Sequence, residues 1–224
     1  MVSLIRPISK IFLGSNLTIL LNLVLKMKNK PMVVLAHLEE SIKTSQILLE
    51  NLKKNLQLEE ICNLFVDTYK SSKKVLVAGN GGSAADAQHF AGELVSSFYF
   101  ERPPLRAIAL TTDTSVLTAI GNDYGYDDIF SRQIRAHGDE GDIFLAITTS
   151  GNSSNILKAI DTCREMGIIV VGLTGELGGK MKELCDFCIC IPSHSTPRIQ
   201  ECHIIIEHTI CAYVESALFS EELH

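Results

Sequence analysis

Apolar positions along this chain change their spacing near residue 75. Before it they recur every three or four residues. Val34, Leu35, Leu38, Ile42, Ile47, Leu48 and Leu52 mark one such stretch over 33 to about 54, and Ile61, Leu64, Phe65 and Tyr69 mark another over 58–72. That period predicts two amphipathic helices. From 75 onward, short unbroken apolar runs alternate with helical stretches. The runs are 75–78, 105–110, 142–148, 168–173 and 187–191. Runs this short, bounded by turn residues, predict strands buried on both faces. Helical patterns between them start at Ser83 and cover 126–137, 152–166 and a short 180–184; 113–121 reads as helix or turn, and a long helix closes the chain from 196 to about 219. Five strands joined by helical crossovers predict an α/β fold, a three-layer sandwich whose five-stranded parallel sheet is flanked by helices, with an N-terminal helical addition.

The stretch Gly79–Glu93, GNGGSAADAQHFAGE, follows the first strand. Glycines let backbone approach a ligand, and a helix N-terminus presents free N–H groups and a positive dipole end. Ser83 is expected to cap that helix through its hydroxyl. Asn80, Gly81 and Gly82 thus form a cradle for a phosphate or sugar hydroxyls. His89 and Glu93, four apart, share a helix face and point at whatever the loop holds. Gly79, Gly81 and Ala84 also satisfy G-x-G-x-x-A, a dinucleotide pattern. The acid that pattern needs would be Glu101, which precedes Arg102-Pro103-Pro104 instead of ending a strand, so the dinucleotide reading is set aside.

Thr148, Thr149, Ser150, Gly151, Asn152 and Ser153 make a second loop between an apolar strand and a helix. Alone, such a turn is a helix cap; beside the first loop in one parallel sheet, it suits a phosphate monoester. Asn122 and Asp123 end the run LTAIGND and either bind sugar hydroxyls or stop a helix. In the closing helix Gln200, His203, Glu207 and His208 interrupt apolar positions too often for packing alone. Spacing does not choose among them, and Gln200 and His208 lie two turns apart, about 80° out of phase.

With 224 residues, the chain suffices for one α/β domain with a helical addition, and its formal net charge is −6. Residues 1–31 hold five bases and no acid, so the remainder carries 15 bases against 26 acids, or −11. That surface argues against direct nucleic-acid binding. The seven cysteines sit among apolar residues. Cys185, Cys188 and Cys190 lie in a strand-like run and read as core thiols in a reducing, cytoplasmic compartment. Leu17–Leu25 is too short to span a bilayer, and no membrane association is expected. Residues 1–31 read as an atypical leader outside the fold, with 32–224 forming the domain.

GNGGSAADAQHFAGEL, AIGNDYG, TTSGNS and RIQECHIIIEH, in this order and spacing, resemble the sugar isomerase (SIS) domain family, most closely its phosphoheptose isomerase branch. The resemblance runs from about residue 33 to 218. It implies an isomerase that converts sedoheptulose 7-phosphate to D-glycero-D-manno-heptose 7-phosphate, the first step of heptose precursor synthesis for lipopolysaccharide or capsule. It implies a homotetramer with active sites at subunit interfaces and one zinc per subunit, held by His89, Glu93, Gln200 and His208. It implies sugar-phosphate contacts from Asn80, Gly81, Gly82, Glu93, Asn122, Asp123, Thr148, Thr149, Ser150, Ser153 and Gln200. The family usually has serine where Thr148 stands; the hydroxyl is kept. A ketose-to-aldose shift needs a base above the enediol and an acid beside its oxygens. Glu93 takes the first role and His208 the second. The alternative is a non-catalytic SIS adaptor that binds the replication initiator DnaA. That relative departs at the positions of Glu93 and His208, and this chain keeps both.

Overall fold

Every residue of the run 75–79 is buried, as an unbroken apolar strand requires of a sheet covered on both faces. In this computed structural model, which describes residues 33–220, the run is β1 (Val75–Gly79). It joins β2 (Ala107–Ala109), β3 (Ile143–Ile147), β4 (Ile169–Gly175) and β5 (Phe187–Ile191) in an all-parallel sheet ordered β2-β1-β3-β4-β5. After α1 (33–52), six helices flank it among the described residues: α2 (Gln57–Lys70), α3 (Gly82–Val95), α4 (Thr114–Asp123), α5 (Ser131–His137), α6 (Ser154–Met166) and α7 (Thr196–Phe219). The expected α/β sandwich is what the chain forms.

Alternation along each strand divides the core. Val75, Val77, Leu145 and Leu173 face α2, α3 and α7, where Phe65, Phe90, Ile206 and Val214 pack against them. Leu76, Ala78, Phe144 and Val170 face α5 and α6, and meet Ile134, Ile156 and Ile160. The β1–β3 register runs from Val75↔Ile143 to Gly79↔Ile147, so both strands end level. The chain leaves β1 for β2 on one side and returns to β3 on the other. The loops after β1 and β3 therefore open side by side at the carboxyl edge, where an open parallel sheet forms its ligand crevice.

Three local expectations need correction. The helix after the first loop starts at Gly82 with Gly81 as its cap, and no side chain caps it; Ser83 is buried instead. The second strand is only Ala107–Ala109, because it is an edge strand paired with β1 alone and the prolines 103 and 104 precede it. The helical pattern over 126–137 divides into a 3₁₀ turn at Tyr126–Asp128 and α5, with the Ser131 hydroxyl donating to the Asp128 carbonyl between them.

The reading of residues 1–31 as a leader falls outside the described residues. Contacts divide the chain between Lys43 and Thr44. Of the first unit, 33–43 is helical, with Val33, Val34, Leu35, Leu38 and Ile42 exposed. All seven cysteines are free, four of them buried and Cys185, Cys188 and Cys190 half-buried. Among the described residues no helix is long and apolar enough to cross a membrane.

Candidate active site

A cavity of about 280 Å³ lies at the carboxyl edge of β1 and β3. Asn80 and Gly82 of the first loop line it, with Thr148, Thr149, Ser150 and Ser153 of the second and Gln200 of α7. Gly81 has φ +58, a left-handed conformation that suits glycine, and lines an adjoining hollow with Asn80. A Cβ on Gly82 would collide with the Gln200 amide, so glycine there lets α7 bring that amide to the loop. In the second loop, hydroxyls bond one another instead of capping α6. Thr148 Oγ1 is 2.9 Å from Ser153 Oγ and 3.4 Å from Ser150 Oγ, and Ser153 makes no side-chain cap bond. The arrangement offers three hydroxyls in one place at a helix N-terminus, which is chemistry for an anion.

About two turns along the paired helices α3 and α7 is a second cluster. His89 Nε2 lies 2.7 Å from His208 Nε2, and Glu93 Oε1 lies 3.4 Å from His89 Nε2. One ligand atom from each of the three falls within 4.8 Å of the others, the group among the described residues that could hold a metal ion. Gln200 is not gathered with them in this chain. Eight residues of helix set its α-carbon about 12 Å from that of His208, and its amide turns to Gly82. Asn122 and Asp123 end α4 on the surface, where Asn122 Nδ2 donates to Asp123 Oδ1 at 2.8 Å, and neither lines the cavity.

Several supporting residues were missed in the sequence. Asn155 is buried and exchanges two hydrogen bonds of 2.9 Å with the side chain of Asn80, tying the first loop to α6. The Tyr126 hydroxyl donates to the same Asn80 oxygen at 3.1 Å. Arg102 donates to the carbonyls of Glu93 and Leu94, at 2.9 and 2.7 Å, and so fixes the end of α3 that carries Glu93. Beneath it, fully buried Glu215 lies 3.5 Å from Arg102 Nε and accepts from the backbone N–H groups of Phe98, Tyr99 and Phe100. The Phe98 ring stands 5.5 Å from the His208 ring. The signal for Arg102 and Glu215 was their charge amid apolar neighbours; nothing local ties the two together.

The remaining polar residues of α7 are buried. His203 donates from Nε2 to the Thr174 carbonyl at 3.3 Å, and burial pushes its pKa down to about 4. Glu207 has neither carboxylate oxygen hydrogen-bonded, and burial, with Asp86 nearby, pushes its pKa up to about 8. Burial also raises Asp86 to about 6, against a smaller lowering by His89. The alternatives that spacing left open thus separate: His208 meets the α3 pair, Gln200 meets the loops, and His203 and Glu207 lie inside.

The SIS domain family model matches residues 40–175. Phosphoheptose isomerase of Aneurinibacillus thermoaerophilus is 58% identical over 82% of this chain and 93% of its own length. Phosphoheptose isomerase 2 of Campylobacter jejuni is 54% identical over 87% and 97%. Among solved structures, phosphoheptose isomerase GmhA of Neisseria gonorrhoeae aligns with a TM-score of 0.77 at 43% identity, covering 82% of this chain and 97% of that one. With this fold, this crevice and these relatives, the chain belongs to the SIS domain family, within its phosphoheptose isomerases.

Proposed function

We infer that this chain is an aldose–ketose isomerase that converts sedoheptulose 7-phosphate to D-glycero-D-manno-heptose 7-phosphate, in heptose precursor synthesis. The observation that carries this is the pairing of an anion-binding hydroxyl loop with a carboxylate and two imidazoles two helical turns away. The hydroxyls of Thr148, Ser150 and Ser153 hold the phosphate. Glu93, as carboxylate, takes the proton from C1 of the ketose and returns it to C2 of the enediol. His208 moves a proton between the C1 and C2 oxygens, so that the ketone becomes a hydroxyl and the hydroxyl an aldehyde. Gln200 and the first loop orient the intervening hydroxyls.

His89, Glu93 and His208 fit a zinc ion. Two imidazole nitrogens and a carboxylate oxygen are a donor set that zinc takes, and one ligand atom from each lies within 4.8 Å of the others. When bound, the ion supplies positive charge that steadies the developing enediolate. We propose Gln200 as the further ligand, its amide turning from Gly82 along α7 toward His208 when the ion is bound.

We propose further that the protein is a cytoplasmic homotetramer with active sites between subunits, serving lipopolysaccharide or capsule. An apolar groove of about 360 Å³ supports self-association; Leu49, Leu56, Leu58 and Tyr213 line it, and Leu56 is 68% exposed. So does the placement of Asn122 and Asp123 outside the cavity of their own chain. Incubation of the purified, zinc-supplied protein with sedoheptulose 7-phosphate, followed by product identification, tests the reaction. Complete recovery of the ketose would end it.

A further inference from the structure

A second cavity, of about 330 Å³, adjoins the first and shares Thr149, Ser150 and Thr196 with it. Its far wall is made by the turns after β4 and β5. Gly175 N–H donates to the Thr149 carbonyl at 3.1 Å and Glu176 N–H to the Ser193 carbonyl at 3.3 Å, so the turn after β4 is docked on the second loop and the turn after β5 on the turn after β4. Across this wall His194 Nε2 meets Glu176 Oε2 at 3.0 Å. Neither cavity is lined by a lysine or an arginine, and His194 is the one side chain on either wall able to carry positive charge. A sugar phosphate is a dianion near neutral pH. Neutral hydroxyls and a helix end supply orientation and partial charge, and a formal cation beside them adds a charge-assisted bond.

We propose that His194, oriented by Glu176, is a phosphate-binding residue that fixes the phosphorylated end of the substrate on the hydroxyl loop. The proposal rests on the isomerase reading for its substrate, and on the two joined cavities for its geometry. Glu176 holds the ring against the wall of the second cavity. An arriving phosphate takes over part of that hydrogen bonding. Nothing in the sequence singled out either residue, because both lie in turns with no motif of their own.

The test measures inorganic phosphate binding by calorimetry, and KM and kcat for sedoheptulose 7-phosphate, in the wild type and in His194→Gln and His194→Arg. Loss of one exposed contact should weaken phosphate binding and raise KM about fivefold in His194→Gln, with kcat little changed. His194→Arg restores the charge and should recover most of both, which a residue that merely braced the turn would not do. Unchanged phosphate affinity and KM in folded His194→Gln would overturn the proposal, as would an arginine variant no better than the glutamine one. Phosphate binding is read without turnover, so a wild type inactive on the ketose would count against the isomerase reading while leaving His194 tested.

Discussion

Gly82→Ala separates the stability of this fold from its chemistry. Gly82 is the first residue of α3 and is not among the glycines held at positive φ, so alanine meets no backbone strain. Alanine also limits the unfolded chain and favours a helix, by up to about 1 kcal/mol. Its Cβ, however, would stand 2.8 Å from Gln200 Cδ and 2.9 Å from Oε1, where ordinary contact begins at 3.4 Å. The Gln200 amide is the far end of a flexible side chain, so it swings away at little cost to the fold. Nε2 stands closer still, so the amide must leave its place on the cavity wall by more than about half an ångström. A substrate misplaced on the scale of an ångström, even by a change remote from the reacting atoms, costs about 10²-fold in rate, or about 2.7 kcal/mol of transition-state stabilisation. Gly82→Ala should therefore melt at or slightly above the wild-type temperature, yet lose about 10²-fold in kcat/KM. Gln200→Ala should lose activity too, and adding Gly82→Ala to it should cost little more, because the displaced group is already gone. A stable Gly82→Ala protein with wild-type turnover would refute the reasoning, and so would full additivity of the two changes.

Glu93→Gln and His208→Asn should each lower kcat by about 10²–10⁴-fold at unchanged assembly, read as specific activity per folded protein beside a melting curve. Ser153→Ala should raise KM more than it lowers kcat, since phosphate contacts persist from ground state to transition state; a pure kcat defect would move the loop into the catalytic group. Glu207, raised by burial to about 8 against an ordinary 4.5, stays protonated in the fold while the unfolded chain ionises. Its contribution to stability is full below about pH 4.5 and is lost as pH rises toward 8, so Glu207→Gln should flatten that decline in a pH series of melting temperatures. His203, lowered to about 4, acts in the opposite sense: stability is present above about pH 6.5 and lost as pH falls toward 4.

Much of this architecture was legible because its signals are local. Continuous apolar runs such as 75–78 and 143–147 mark strands buried on both faces, and that burial is what the sheet shows. The two loops that line the cavity were legible for the same reason: glycines and hydroxyls follow those strands directly. Pairings between distant segments were not. Asn155 with Asn80 and Arg102 with Glu215 are separated by 75 and 113 positions, and no spacing rule joins them. The cap at Ser83 failed because the backbone turn at Gly81 already sets the helix start, which sends the serine side chain inward. Choosing among the four polar residues of α7 required knowing which face of it meets α3.

The closing helix is 24 residues without an internal glycine, and its single proline lies in the first turn. Such a helix does not bend at one point while staying straight at another. It carries Gln200 against the crevice between the two loops and His208 against Glu93 and His89, a fixed interval of about 12 Å between α-carbons. The interval works as a ruler. A ketose anchored by its phosphate at one mark presents to the other whichever carbon lies that far along its backbone. Each carbon removed from the sugar draws the reacting end back by one bond, away from the base. On the proposed isomerase reading, chain length would be measured by a helix built for packing, and a shorter sugar phosphate would set its reacting carbon short of the base.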